Sequence, residues 1–150
     1  MPGAHILLVE DDEVLCHLIE RNLQVRGHSV SIARDVQEAL KLLHAHSFDL
    51  TFLDINLPDK TGWDILRIAQ EEKVLRTQNL DGTGQRLPVV VLSAVRVSSR
   101  RLAEFRPLAY LPKPFPMDAL IRLAAEAAHR RDGNEFPDTK NAASMRHYSY

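Results

Sequence analysis

The stretch Asp49-Leu50-Thr51-Phe52-Leu53-Asp54-Ile55-Asn56-Leu57-Pro58-Asp59 constrains this chain more than any other. Leu50, Phe52, Leu53 and Ile55 form a near-continuous apolar run that ends at a proline. A short run without alternation suits a strand covered on both faces, and such strands belong to parallel sheets flanked by helices. Asp54 stands at the end of the run. In open α/β sheets, ligand chemistry lies beyond the carboxyl ends of the strands. A single acid there has a plain alternative role, capping the next turn. The other strand ends decide between the two.

His5-Ile6-Leu7-Leu8-Val9 is a first apolar strand, followed at once by Glu10, Asp11, Asp12 and Glu13. A helix N-terminus welcomes acids, which accounts for Asp12 and Glu13. Glu10 and Asp11 sit at the strand end itself. A helix follows to about Arg26, with Val14, Leu15, Leu18, Ile19 and Leu23 as its apolar stripe and Gly27 as its stop. Residues 28–33 alternate as a second strand. Asp35 and Glu38 form a capping box ahead of a second helix. After the Asp54 strand, Gly62 and Trp63 open a third helix. Gln78 to Gly84 reads as a loop. Val89-Val90-Val91-Leu92-Ser93 is a fourth strand ending on a hydroxyl, and Val95 to Arg106 a weak, arginine-rich helix. Leu108 to Pro112 is a fifth strand ending at Lys113. A last helix runs from about Pro116 to Arg130.

Strands alternating with helices predict a parallel sheet with helices on both faces. All strands then end on one edge, which gathers Glu10, Asp11, Asp54, Ser93 and Lys113. Three clustered carboxylates need a cation. Oxygen ligands of this kind suit Mg²⁺, which keeps places for water and phosphate. No glycine-rich phosphate loop is present. The remaining reading is a carboxylate nucleophile that takes a phosphoryl group as an acyl phosphate, with Mg²⁺ and a lysine neutralising the oxygens in transfer.

The composition agrees with a soluble globular domain: of 150 residues, 45% are hydrophobic and 26% charged, with a net charge of −1. That balance gives no reason to expect direct nucleic-acid or membrane binding. One cysteine, Cys16, allows no internal disulfide and fits a reducing cytoplasm. The sequence divides into a domain over residues 4–130 and a polar, non-periodic segment over 131–150, expected to be a flexible tail.

Four blocks together resemble the receiver domain of bacterial two-component response regulators. They are Ile6 to Asp12, Phe52 to Asp59 with Gly62, Val91 to Ala94, and Tyr110-Leu111-Pro112-Lys113-Pro114-Phe115. The resemblance implies a flavodoxin-like (βα)5 fold with strand order 2-1-3-4-5. It implies that Asp54 is the phosphoacceptor, that Glu10 and Asp11 bind Mg²⁺ with Asp54, and that Asn56 offers its backbone carbonyl. It casts Ser93 as the switch hydroxyl, Lys113 as the phosphate-contacting lysine and Tyr110 as the switch aromatic, with a cis Lys113–Pro114 bond. The implied activity is a signalling switch that catalyses only its own phosphorylation. A histidine kinase or phosphotransfer protein would donate, a downstream protein would respond, and a phosphorylation-dependent dimer is one implied state. A tail over 131–150 is too short for a DNA-binding output domain, so a stand-alone receiver or a receiver fragment is expected.

Two other classes fit less well. A phosphatase using Asp54 would need an acid two residues on, where Asn56 stands, and a flavin module would need a phosphate-cradling loop where the acids Glu10 to Glu13 lie. Two departures from the family also stand out. Arg106-Pro107-Leu108-Ala109 replaces its usual small and acidic residues, and the span from Asp54 to Ser93 is long, with the surplus between Arg76 and Arg86.

Overall fold

The chain runs β1 (His5–Val9), α1 (Glu13–Gln24), β2 (Ser29–Ala33), α2 (Val36–Ala45), β3 (Leu50–Asp54) and α3 (Gly62–Glu71). It continues through β4 (Arg76–Gln78), β5 (Gly84–Arg86), β6 (Val89–Ser93), α4 (Ser99–Phe105), β7 (Ala109–Pro112), α5 (Met117–Arg131) and β8 (Arg146–His147). The computed structural model describes residues 3–78, 84–131 and 146–147.

The unalternating runs became the sheet's centre, as their composition dictates. Every residue of β3 and of β6 is buried. The sheet order is β2-β1-β3-β6-β7-β8, all parallel. Its five long strands follow the expected 2-1-3-4-5 order of a flavodoxin-like fold. The pleat then sorts side chains onto two cores. Leu7, Val9, Leu53 and Val91 face α2, α3 and Phe105 of α4, whereas Ile6, Leu8, Phe52 and Val90 face α1 and α5. Helices thus cover both faces of the sheet, the arrangement that buries parallel strands.

Several local expectations change in detail. In α1 the inward positions are Cys16, Ile19 and Leu23, a three-and-four spacing; Val14 and Leu18 of the expected stripe are 71% and 51% exposed. Cys16 takes their place because it lies on the same helical face as Ile19 and Leu23. Gly27 ends this segment with φ 88°, a left-handed conformation suited to glycine. At α2, Asp35 accepts from the Glu38 amide at 2.8 Å, but Glu38 returns its bond to Arg34 N, one residue outside the box. The reciprocal box forms instead at α3, between Thr61 and Asp64.

The arginine-rich helix is shorter than expected. Ser98 caps it by accepting from Arg101 N, and Arg106 closes it in the left-handed region at φ 47°. The segment expected as a loop from Gln78 to Gly84 is bordered by an antiparallel pairing, Arg76 with Arg86 and Gln78 with Gly84; residues 79–83 lie outside the described set. Of the expected tail over 131–150, Arg131 closes α5 and β8 pairs with β7 (Ala109 opposite Arg146, Tyr110 opposite His147). The remainder of that expectation falls outside the described residues.

Candidate functional site

Parallel strands place their ends on one edge, and the residue following each apolar run is carried there. Glu10 extends β1 by one ladder bond, its N–H donating to Ala33 O at 3.0 Å. That register buries its side chain completely. Glu10 Oε2 accepts from the Asp11 and Asp12 amides at 3.0 and 3.2 Å, at the start of α1. Asp54, the last residue of β3, is 4% exposed. Its Oδ1 accepts from Asn56 N at 2.9 Å. A buried carboxylate must find such partners or give up its charge.

Lys113 supplies the counter-charge from the end of β7, where its N–H donates to Ser93 O at 2.8 Å. Its Nζ donates to Glu10 Oε1 at 2.5 Å and to Asp54 Oδ2 at 3.0 Å. The Lys113–Pro114 peptide is cis. Oxygens of Glu10, Asp11 and Asp54 lie within 4.8 Å of one another, with Asp11 on the exposed side. Burial raises the Glu10 pKa to about 7, and neighbouring Asp54 adds to the rise. Lys113 pulls it back without cancelling it. For Lys113 burial acts to lower the pKa, but the contacts with Glu10 and Asp54 prevail and raise it. Glu10 and Asp54 therefore share a single ammonium, with the exposed Asp11 carboxylate beside them. This excess of negative charge on hard oxygens fits a divalent cation of the Mg²⁺ type.

Ser93 and Tyr110 meet elsewhere. The buried Ser93 hydroxyl donates to Val95 O at 2.7 Å and accepts from Val95 N at 3.1 Å. Tyr110 Oη donates to the same carbonyl at 3.3 Å. Both side chains are thus committed to one acceptor in the β6–α4 connection.

Three further residues support the site through contacts that were not visible in the sequence. Gly62 lies against the Asp54 peptide: a Cβ there would stand 2.5 Å from Asp54 O and 3.0 Å from Ile55 Cα. Asp59 reaches from the β3–α3 loop to the start of α2, where its carboxylate accepts from Val36 N at 3.1 and 3.2 Å. Burial pushes the Asp59 pKa up, but the main-chain donors, Val36 N foremost, hold it below the usual range. Cys16 Sγ lies 3.3 Å from Glu10 O. The loop motif carrying Asp59 was visible in the sequence, but its helix partner was not.

A parallel sheet of this strand order, with a buried acid, an acidic pair and a lysine gathered at its carboxyl edge, is the architecture of a receiver domain. The family model of the response regulator receiver domain matches residues 6–125, and the chain belongs to that family: it is the receiver domain of a two-component response regulator. It is 33% identical over 138 residues to the response regulator MprA of a Mycobacterium species, an alignment covering 91% of this chain and 55% of the relative. The chain therefore spans about half the length of the curated relatives it matches. Among solved structures, the HemR receiver domain of Leptospira biflexa shares 35% identity at a TM-score of 0.64, covering 82% of this chain and 91% of that one. A Francisella response regulator receiver domain shares 25% identity at a TM-score of 0.70, covering 85% and 98%. Receiver domains are signalling switches rather than enzymes with a separate substrate. Among the described residues, no helix is long and apolar enough to cross a membrane.

Proposed function

We propose that Asp54 is the phosphoacceptor and that the donor is a phosphohistidine on a histidine kinase or histidine phosphotransfer protein. One observation carries this reading: Lys113 joins Asp54 to Glu10 inside a three-carboxylate cluster. In the transfer, an Asp54 carboxylate oxygen attacks phosphorus, the P–N bond breaks as the P–O bond forms, and the departing imidazole keeps the electron pair and takes a proton. Lys113 neutralises a phosphoryl oxygen in flight, and the Asn56 amide steadies the attacking carboxylate. Glu10, Asp11 and Asp54, with the Asn56 main-chain carbonyl, are the residues that would hold Mg²⁺. When bound, that ion offsets the charge that gathers on the phosphoryl oxygens.

The readout follows from the shared acceptor. A phosphoryl group on Asp54 offers Ser93 a stronger acceptor than Val95 O. Ser93 then leaves that carbonyl, and Tyr110 re-seats around it. A changed surface around β6, α4 and β7 recruits a downstream protein or a second copy of the chain, with no direct nucleic-acid contact by this domain. The unit that does this spans residues 4–130 and works in the cytoplasm, where a phosphohistidine donor is available.

Acetyl phosphate with Mg²⁺, followed by intact mass, tests the assignment. One added phosphoryl group is expected on the wild type and none on Asp54→Asn. Uptake by the variant at the wild-type rate would sink it.

A further inference from the structure

The described part of the surplus, Arg76–Gln78 paired with Gly84–Arg86, sits where α3 hands over to β6, at the edge opposite the acids. Yet it does not stand apart from the switch. Leu87, just after the hairpin, donates its N–H to Leu75 O at 3.1 Å, which fixes the base of the hairpin. Arg86, the last residue of β5, donates through Nη2 to the carbonyl of Phe105. Phe105 is the final residue of α4, and the last carbonyls of a helix have no partner within it.

Phe105 also stacks on Trp63 at 5.3 Å between ring centroids, with the planes 19° apart. Arg101 of α4 lies 5.9 Å from the same indole. Trp63 directly follows Gly62, the residue pressed against Asp54 O. At its other end α4 is joined through residues 94–98 to Ser93. The helix is thus held between three points: the Ser93 connection, the indole beside the Asp54 loop, and Arg86. It has seven residues, too few to hold a fixed position by its own hydrogen bonds.

We propose that Arg86 is a positioning residue that makes the β4–β5 hairpin part of the switch, by clamping α4 in the arrangement where Ser93 bonds to Val95. The inference rests on the reading of Asp54 and Ser93 above. Releasing the clamp weakens that arrangement relative to one in which Ser93 turns to a phosphoryl group. A ligand that favours the second arrangement then binds more tightly, by the factor through which the competing population falls.

The test uses the full chain with Arg86→Ala, Arg86→Lys and Phe105→Leu. In Arg86→Ala, amide exchange across the last turn of α4 should quicken by about tenfold, the scale of one charge-assisted hydrogen bond. Exchange in β1 and β3 should not change. The affinity for Mg²⁺ with beryllofluoride, a phosphoryl mimic, should tighten by about three- to tenfold. Arg86→Lys should restore part of both effects. Phe105→Leu keeps the hairpin but loses the stack, and should shift affinity in the same direction. Unchanged exchange in α4 would overturn the clamp. Faster exchange with unaltered affinity would also overturn the proposal, reducing Arg86 to a local brace. Failure of the wild type to take phosphate or the mimic would sink the Asp54 reading itself; normal uptake in every variant, with no shift in affinity, would sink only the role of Arg86.

Discussion

Gly62→Ala is expected to damage the site without removing any functional group. The new methyl would stand 2.5 Å from Asp54 O, 3.0 Å from Ile55 Cα and 3.1 Å from Ile55 Cδ1. Two of those three atoms are backbone, so no side-chain rotation relieves the contact. The Gly62 amide also donates to Ile55 O at 2.8 Å, and Asn56 pairs with Thr61 across the same loop. The start of α3 and the end of β3 must therefore part together. Overpacking of this kind costs about 1–3 kcal/mol. Alanine recovers up to about 1 kcal/mol over glycine inside a helix, and less in its first turn. The net loss is about 1–2 kcal/mol, which for a domain of this size lowers Tm by about 3–8 °C. The atom that is pushed belongs to Asp54, so transfer should suffer more than stability does. A shift of well under 1 Å should slow acetyl-phosphate uptake by about tenfold. Thermal unfolding followed by circular dichroism, with intact mass against time, measures both. An alanine variant as stable as the wild type and equally fast would refute the packing argument.

Lys113→Met should strand Glu10 and Asp54 without their cation; breaking a buried pair costs about 3–5 kcal/mol, and partial exposure of Lys113 brings this nearer 2–3. Urea denaturation in EDTA should show the loss, Mg²⁺ should restore part of it, and an unchanged midpoint would contradict the shared-charge description. Asp54→Asn should be as stable as the wild type or more so in EDTA, because it removes one of the competing carboxylates; a large loss would mean that Asp54 contributes more to the fold than its charge costs. His28 supplies a pH-dependent expectation away from the acids. Its buried ring accepts from Ala4 N through Nδ1 at 2.9 Å, and burial first, then Arg26, holds its pKa below the ordinary 6.5. The unfolded chain takes up the proton first, so this contribution to stability is complete above pH 6.5 and is lost as pH falls below it. His28→Asn, which keeps an acceptor near Nδ1, should flatten that slope in urea titrations at a series of pH values; an equal slope in both proteins would place the titration elsewhere.

The sheet and the identity of its edge were legible in the sequence because burial on both faces leaves a local mark. Runs such as Val89 to Leu92 cannot be solvent-facing strands, and the acid, hydroxyl or lysine that follows each run must reach one edge once all strands are parallel. That much fixed which residues gather. What they do with one another depends on contacts across the sheet, between residues far apart in the chain. Lys113 and Glu10 are 103 residues apart, and nothing near either one announces that a single ammonium serves both Glu10 and Asp54. Ser93 and Tyr110 were visible as a pair of candidates, but their common attachment to Val95 O arises only when β6 and β7 lie side by side in register. Helix faces were legible only in part: three-and-four spacing permits more than one inward stripe, and packing chose Cys16 over Val14 and Leu18. The same holds for Gly62 against Asp54 O, Asp59 on α2, and the line from Arg86 through Phe105 to Trp63. Periodicity and turn chemistry report what a residue does to its own segment; the docking of α3 and α4 on the sheet determined which segments share an atom.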